Sequence, residues 1–227
     1  NRSHFLNMNA LTSLLKTTSL LVVSAFFFSL QAQSPATSTN SESKSTKTTC
    51  EVNVDVLPGS TISLEGKTNI NSFNCLNCEE IVNYSSKVQV EVTNDSWKLD
   101  NAFLNIKAAG FDCEINELTR DFKELLCVES YPYLKIKVKK LKKVSTSNDY
   151  TIYNATIDLT IAGTKNEVVV PITADQQEDK VICTGQTKID VTDFNITPPT
   201  KMFGLIKVKK EILVNFYLEL QINEIAI

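Results

Sequence analysis

The sequence predicts an all-β protein, an antiparallel β-barrel of about eight strands with one short helix. Apolar and polar residues alternate in most segments after Cys50, which is typical of strands with one buried face. Only residues 116–128 have apolar side chains at helical spacing. A sheet of this many strands commonly closes on itself or splits in two, and closure removes exposed edges. Alternation alone leaves a sandwich of two sheets open as the alternative.

The strands can be assigned in chain order from their apolar positions. These positions are Val52, Val54 and Val56; Ile62 and Leu64; Val88, Val90 and Val92; Leu104, Ile106 and Ala108; Leu134, Ile136 and Val138; Ala155, Ile157, Leu159 and Ile161; Val168, Val170 and Ile172; Val181, Cys183, Ile189 and Val191; and Ile212, Val214, Phe216, Leu218, Leu220 and Ile222. Several of these segments are ten residues long or more. Long strands at about eight positions fit a lipocalin-like barrel that can hold one small ligand.

Residues 1–32 have the pattern of a secretory signal peptide. Arg2 and Lys16 are the only Lys or Arg residues in this segment, which has no acidic residue, and an apolar run at residues 20–30 is followed shortly by Ala32. A membrane-spanning helix, the alternative, needs about 20 apolar residues. Polar residues precede this run too closely for that length. We therefore expect cleavage after Ala32 and an exported protein, periplasmic or secreted.

A leader and a single domain are expected to follow. Residues 33–49 are mostly Ser, Thr, Lys, Asn and Glu, which bury too little apolar surface to offset chain entropy. We expect a disordered leader there and a barrel domain at residues 50–227. Removing Arg2 and Lys16 from the 23 basic residues leaves 21 against 26 acidic ones, a net charge of about −5. Such an acidic chain argues against general nucleic-acid binding.

The exported chain would contain no histidine, because the single histidine, His4, lies in the signal peptide. This excludes Ser-His-Asp and Cys-His catalysis, and every metal site that uses imidazole. We therefore expect a protein that is not an enzyme and needs no cofactor or metal.

An even number of cysteines in an exported chain favours disulfides. The spacing of Cys75 and Cys78 would also suit a redox pair or half a metal site. However, a redox pair belongs at a helix N-terminus after a parallel strand, and a tetrathiolate site needs a second close pair. We expect Cys75 or Cys78 to pair with Cys113, with Cys75 preferred, because both partners adjoin turns next to aromatic core residues. The six cysteines are Cys50, Cys75, Cys78, Cys113, Cys127 and Cys183.

One predicted strand is rich in lysine. A solvated outer face or a protected edge is the favoured interpretation. The alternative is contact with a membrane surface, because anionic head groups attract each nearby lysine by about 1 kcal/mol. The lysines are Lys135, Lys137, Lys139, Lys140, Lys142 and Lys143.

Five short motifs occur in a fixed order between the strands. They are LEGKTNINSFNC (64–75), RDFKELL (120–126), SYP (130–132), LTIAG (159–163) and DFNITPP (193–199). Together they resemble the YceI-like family of secreted, lipocalin-like, lipid-binding proteins. The chain departs from the family pattern in lacking a histidine in the helix motif. Asn195 also replaces the usual glycine, which is tolerable if its φ is positive.

The resemblance implies a barrel that encloses a polyisoprenoid or similar amphiphile, with no cofactor. We expect one face of the alternation to line the interior and an aromatic loop to cover one end. A structural or interaction module with a side-chain-filled core remains the alternative, because alternation is the same in both. The expected ligand-binding residues are Ile62, Leu64, Phe73, Val88, Val90, Leu104, Ile106, Phe111, Phe122, Leu126, Ile157, Leu159, Phe194, Phe203 and Leu205.

Overall fold

The computed structural model describes residues 48–79, 81 and 85–224. The predicted signal peptide and nearly all of the predicted leader lie outside the described residues. One boundary needs correction, because Thr48 and Thr49 are not part of a leader. They pair with Val92 and Glu91 in the first strand of the sheet, which supplies the backbone hydrogen bonds that an isolated polar segment lacks.

The described residues form thirteen strands and one α-helix, with 3₁₀ turns at Ala108–Gly110 and Val191–Phe194. The helix, α1, spans Asn116–Leu125. The strands are β1 Thr48–Val56, β2 Thr61–Thr68, β3 Ser72–Asn77, β4 Ser85–Thr93, β5 Ser96–Asp100, β6 Phe103–Lys107, β7 Phe111–Asp112, β8 Tyr133–Thr146, β9 Thr151–Ile161, β10 Thr164–Gln177, β11 Lys180–Asp190, β12 Thr200–Lys201 and β13 Ile206–Glu224.

Eight strands form a closed ring in the order β1–β4–β5–β8–β9–β10–β11–β13, and β13 pairs with β1 to complete it. Every pairing is antiparallel, so the predicted fold class is confirmed. Closure leaves no free edge along the ring, which protects a long sheet from pairing with other chains.

The strand count exceeds the ring size because two ring positions are each divided between two strands. β13 pairs along one side with β11, and along the other with β2 near its start and β1 near its end. β8 pairs in the same way with β6 and then β5. The breaks fall at Gly59 and Asn101, which both have positive φ and so interrupt an extended chain. β3, β7 and β12 extend the sheet at one end.

Helix α1 marks that same end, which we call the helix end. Its one buried residue, Phe122, meets Phe111 edge to face with ring centroids 5.7 Å apart. A disulfide between Cys75 and Cys113 ties β3 to the segment that leads into the helix. The helix ends three residues before the predicted limit of 128, because Cys127 has φ 51° and cannot continue it.

Candidate functional site

The barrel encloses a cavity of about 370 Å³. Its wall is almost entirely aliphatic and aromatic, with Ser86, Thr187, Tyr153 and Cys183 as the polar or weakly polar exceptions. None of the described charged side chains lines it. A cavity of this composition can hold an apolar chain, whereas an unpaired charged group inside it would be strongly destabilised.

Cross-strand register explains why the wall is uniform. In β9, Ala155, Ile157 and Leu159 all face inwards, and each pairs with a residue of β8 or β10 on the same face. Ala155, for example, pairs with Val170 on one side and Leu141 on the other. Because directly paired residues share a face, apolar positions align around the whole ring.

The helix end of the cavity is closed by aromatic and aliphatic side chains. Phe111 is fully buried there, with Phe122 and Leu126 from the helix segment beside it. Val191 and Ile196 complete the closure from the opposite strand connection. Between them Asn195 has φ 59°, so the expected left-handed position is confirmed. The Cys113 N–H donates to the Thr119 hydroxyl at 2.9 Å, which fixes the start of the helix against this end.

The opposite end carries the hairpins β4–β5, β8–β9 and β10–β11, and we call it the hairpin end. Tyr153 and Cys183 line the cavity there, and Trp97 meets the Tyr153 ring edge to face at 5.2 Å. Burial raises the pKa of the Cys183 thiol to about 12. Burial also raises the pKa of Tyr153 to about 12, against a smaller opposing effect of its hydrogen bond with Thr151. Both groups are therefore neutral at physiological pH.

Ten of the residues expected to bind ligand lie on the cavity wall. They are Ile62, Leu64, Val88, Leu104, Ile106, Phe111, Phe122, Leu126, Ile157 and Leu159. Val90 and Phe194 are buried but do not line the cavity. Phe73 is partly buried beside it, with its ring atom Cζ only 2.1 Å from the place a Cβ on Gly66 would occupy. The glycine thus makes room for this aromatic ring.

The structure does not place Phe203 and Leu205 at the cavity. Phe203 is fully exposed and Leu205 is largely exposed. The reason is the turn between β12 and β13, in which Met202, Phe203 and Gly204 all have positive φ. This turn points its side chains away from the barrel, so the expected apolar lid is not formed by these two residues.

Most of the cavity wall was not singled out from the sequence, although its alternating pattern was visible. Strands β8, β10, β11 and β13 supply more than half of this remainder. Their lining residues include Leu134, Ile136, Val138, Leu141, Val170, Ile172, Val181, Ile189, Ile212, Val214, Phe216, Leu218, Leu220 and Ile222. The sequence signal was the period-two alternation itself. It identified apolar faces but did not show that all of them point into one interior.

The lysine side chains of strand β8 lie on the outer face of the barrel, and neighbouring carboxylates neutralise part of their charge. Lys137 lies 3.3 Å from Asp100, and Lys139 lies 2.7 Å from Asp158 and also pairs with Glu167. The hydrogen bond that Lys139 donates to Asp158, followed by the one it donates to Glu167, raises the pKa of Lys139. Exposed pairs of this kind contribute little to stability. They are typical of a solvated face.

The preferred cysteine pairing, Cys75 with Cys113, is present, and Cys50, Cys78, Cys127 and Cys183 are free thiols. Within residues 48–79, 81 and 85–224, no group of three or more His, Cys, Asp or Glu side chains could hold a metal ion. In the same described part of the chain, no helix is long and apolar enough to cross a membrane.

A closed antiparallel ring around an uncharged apolar cavity is typical of lipocalin-like barrel proteins, and this protein has that architecture. The chain belongs to the YceI-like family, because the model of the YceI-like domain matches residues 39–220. The search of curated proteins found no match.

Three solved structures are similar to this chain at low sequence identity. A polyisoprenoid binding domain from Saccharophagus degradans is 7% identical, with a TM-score of 0.50, over 75% of this chain and 97% of that one. BcnA from Burkholderia cenocepacia is 18% identical, with a TM-score of 0.49, over 70% and 95%. The YCEI protein of Campylobacter jejuni is 21% identical, with a TM-score of 0.41, over 54% and 70%.

Proposed function

We propose that this protein is an exported carrier that holds a polyisoprenoid or similar amphiphile inside its barrel. The observation that supports this most is the cavity of about 370 Å³ without any charged lining residue. The Saccharophagus degradans structure, described as a polyisoprenoid binding domain, is consistent with the same class of ligand. The disulfide fits an oxidising compartment, which supports export to the periplasm or outside the cell.

The wall suits a long apolar chain rather than a small polar metabolite. Burying a methylene group contributes about 0.8 kcal/mol, so several isoprene units bind without any specific hydrogen bond. The cavity offers no cation for a phosphate and no carboxylate for an amine. We therefore expect the tail of the ligand inside and its polar head group outside the apolar cavity.

Binding without catalysis is part of the proposal. In the part of the chain that the structure describes, the cavity wall holds no carboxylate, amine or metal-ligand cluster, and its one thiol, Cys183, is kept protonated by burial, which raises its pKa. The alternative, an interaction module with a filled core, is less consistent with an open interior. The outer lysines of β8 act in this proposal as a solvated face, since Lys137 and Lys139 already have carboxylate partners.

Titration with a fluorescent polyisoprenoid analogue tests the proposal. We expect saturable binding to the folded protein, and competition by an unlabelled polyisoprenoid but not by its short water-soluble head group. Mass spectrometry of lipids extracted from protein purified from its natural compartment would identify the occupant. Undetectable binding by well-folded protein, with no lipid co-purified, would contradict the carrier function and leave the interaction module.

A further inference from the structure

Two neighbouring turns at the helix end expose large apolar side chains to solvent. The turn between β2 and β3 carries Ile70, which is 62% exposed. The turn between β12 and β13 carries Met202 at 64%, Phe203 at 110% and Leu205 at 71%. We call these four residues the apolar tip. They do not line the cavity, so ligand enclosure does not account for them.

The two turns are joined into one projection by Asn69. Its side-chain amide donates to the Leu205 carbonyl at 2.9 Å and accepts from the Lys207 N–H at 2.8 Å. Its own N–H donates to the Lys207 carbonyl at 3.1 Å. Three hydrogen bonds from one residue fix the turns side by side. The apolar tip is thus a defined surface rather than two independent loops.

The backbone holds these apolar side chains outwards at an energetic cost. Met202 and Phe203 have φ of 52° and 54°, a left-handed conformation that is uncommon for residues with large side chains. Such strain is often found at functional positions. The next residue, Gly204, has φ 88° and open space around its Cβ position. The Phe203 ring is fully exposed and is not part of the hydrophobic core of the described fold. Packing in the core therefore does not explain its position.

Lysine is the only type of charged residue in the two segments that carry the apolar tip, although the protein is acidic overall. Residues 66–78 and 194–210 together contain five lysines and no Asp or Glu, whereas the whole chain has a net charge of −3. Three of these lysines have carboxylate partners outside the two segments, at 2.6 Å for Lys201, 2.8 Å for Lys210 and 3.5 Å for Lys67. Among the described residues, no carboxylate pairs with the side chains of Lys207 or Lys209.

We propose that the apolar tip docks on a lipid bilayer that carries anionic head groups. Exposed apolar side chains rimmed by lysine suit this partner, because the side chains enter the acyl boundary while the lysines contact head groups. A second copy of the chain would bring two lysine rims together and is disfavoured by repulsion. The proposal goes beyond ligand binding and does not depend on it.

Docking at this end would orient the barrel relative to the membrane. Strand β13 begins beside the tip and supplies Ile212 and Val214 to the cavity wall. An extended strand from Leu205 to Ile212 spans roughly 20 Å. The helix end of the barrel therefore faces the bilayer, which is the phase in which a polyisoprenoid dissolves.

Vesicle flotation tests this proposal with the full chain and two kinds of vesicle. We expect wild-type protein to float with phosphatidylcholine vesicles that contain phosphatidylglycerol, and much less with phosphatidylcholine alone. Replacing Phe203 and Leu205 together by serine should weaken vesicle binding by at least tenfold, since each loses its apolar burial. Val169→Ser, at a 56% exposed position on the outer face of β10, is the matched control and should change nothing.

A charge series separates the tip from the lysine-rich strand. Replacing Lys207 and Lys209 by glutamine should weaken binding to the anionic vesicles, whereas the same change at Lys140 and Lys142 should not. Polyisoprenoid titration without vesicles should be unchanged in all these variants, which keeps this test independent of the carrier function. The proposal is wrong if wild-type protein ignores anionic vesicles, if only the β8 variants lose binding, or if the tip variants instead abolish a dimer.

Discussion

Replacing Ile106 by glutamate tests directly whether the barrel interior is an apolar compartment. Ile106 lies in β6, is only 3% exposed and faces the cavity. No cationic side chain lines that cavity, so the new carboxylate would have no partner. Its neighbour Asn105 lies on the same strand but is exposed, which makes Asn105→Glu a control of identical chemistry on the opposite face.

Two contributions determine the expected size of the effect. Losing the buried aliphatic side chain costs about 1.5–3 kcal/mol. Burial without a partner raises the pKa of a carboxyl by up to about 3–5 units, and each unit corresponds to about 1.4 kcal/mol. At pH 7 only the interval between an unfolded pKa of about 4.3 and pH 7 contributes, which amounts to about 3.7 kcal/mol. The sum of the two contributions, roughly 5–7 kcal/mol, is comparable to the whole stability of an ordinary domain. Ile106→Val, a softer change, should cost only about 1 kcal/mol.

Denaturant unfolding followed by the fluorescence of Trp97, the single tryptophan, measures this effect. The folded-state pKa of the new carboxyl lies above its unfolded value. The pKa-dependent part of the Ile106→Glu destabilisation is therefore complete only above the folded-state pKa, is already large at pH 7, and shrinks as the pH falls towards about 4.3. Polyisoprenoid binding should be lost at pH 7 in this variant and kept in Asn105→Glu. Equal stability and equal binding in the two variants would refute an apolar interior.

Three further changes test other parts of the structure. Gly185→Val should lower both stability and ligand capacity, because a Cβ there would lie 2.3 Å from Cζ of Phe216, and calorimetry with polyisoprenoid titration would detect both losses. Cys75→Ser should lower the free energy of unfolding by about 4 kcal/mol, as expected for a disulfide that closes a 38-residue loop. Cys78→Ser, at an exposed free thiol, should not lower it, and equal losses in the two variants would contradict the Cys75–Cys113 pairing. Burial raises the pKa of Cys183 to about 12 in the folded state, so its contribution to stability is intact below pH 9 and is lost as the pH rises towards 12. In unfolding experiments, the free energy of unfolding of Cys183→Ala should therefore fall less steeply with rising alkaline pH than that of the wild type.

The lysine-rich strand shows where a one-dimensional pattern stops being sufficient. The alternation of Leu134, Ile136 and Val138 correctly marks three inward positions. Leu141 also lines the cavity, although strict alternation would place it outside. A register shift between Val138 and Lys140 inserts an extra residue and reverses the parity of the strand. The consecutive Lys139 and Lys140 interrupt the alternation at this point, but only the pairing with β9 shows that the register shifts there.

The amino-acid sequence by itself determined the fold class and the apolar face of most strands. It also gave Cys75 with Cys113 as the preferred cysteine pair. These conclusions depend on local periodicity, composition and motif order, which the chain carries along its length. Tertiary structure alone decided that the interior stays open, because cavity volume depends on how many strands close the ring and in which register. It also decided that Phe203 and Leu205 face solvent, because the left-handed turn that carries them is set by contacts with the neighbouring hairpin rather than by the side chains themselves.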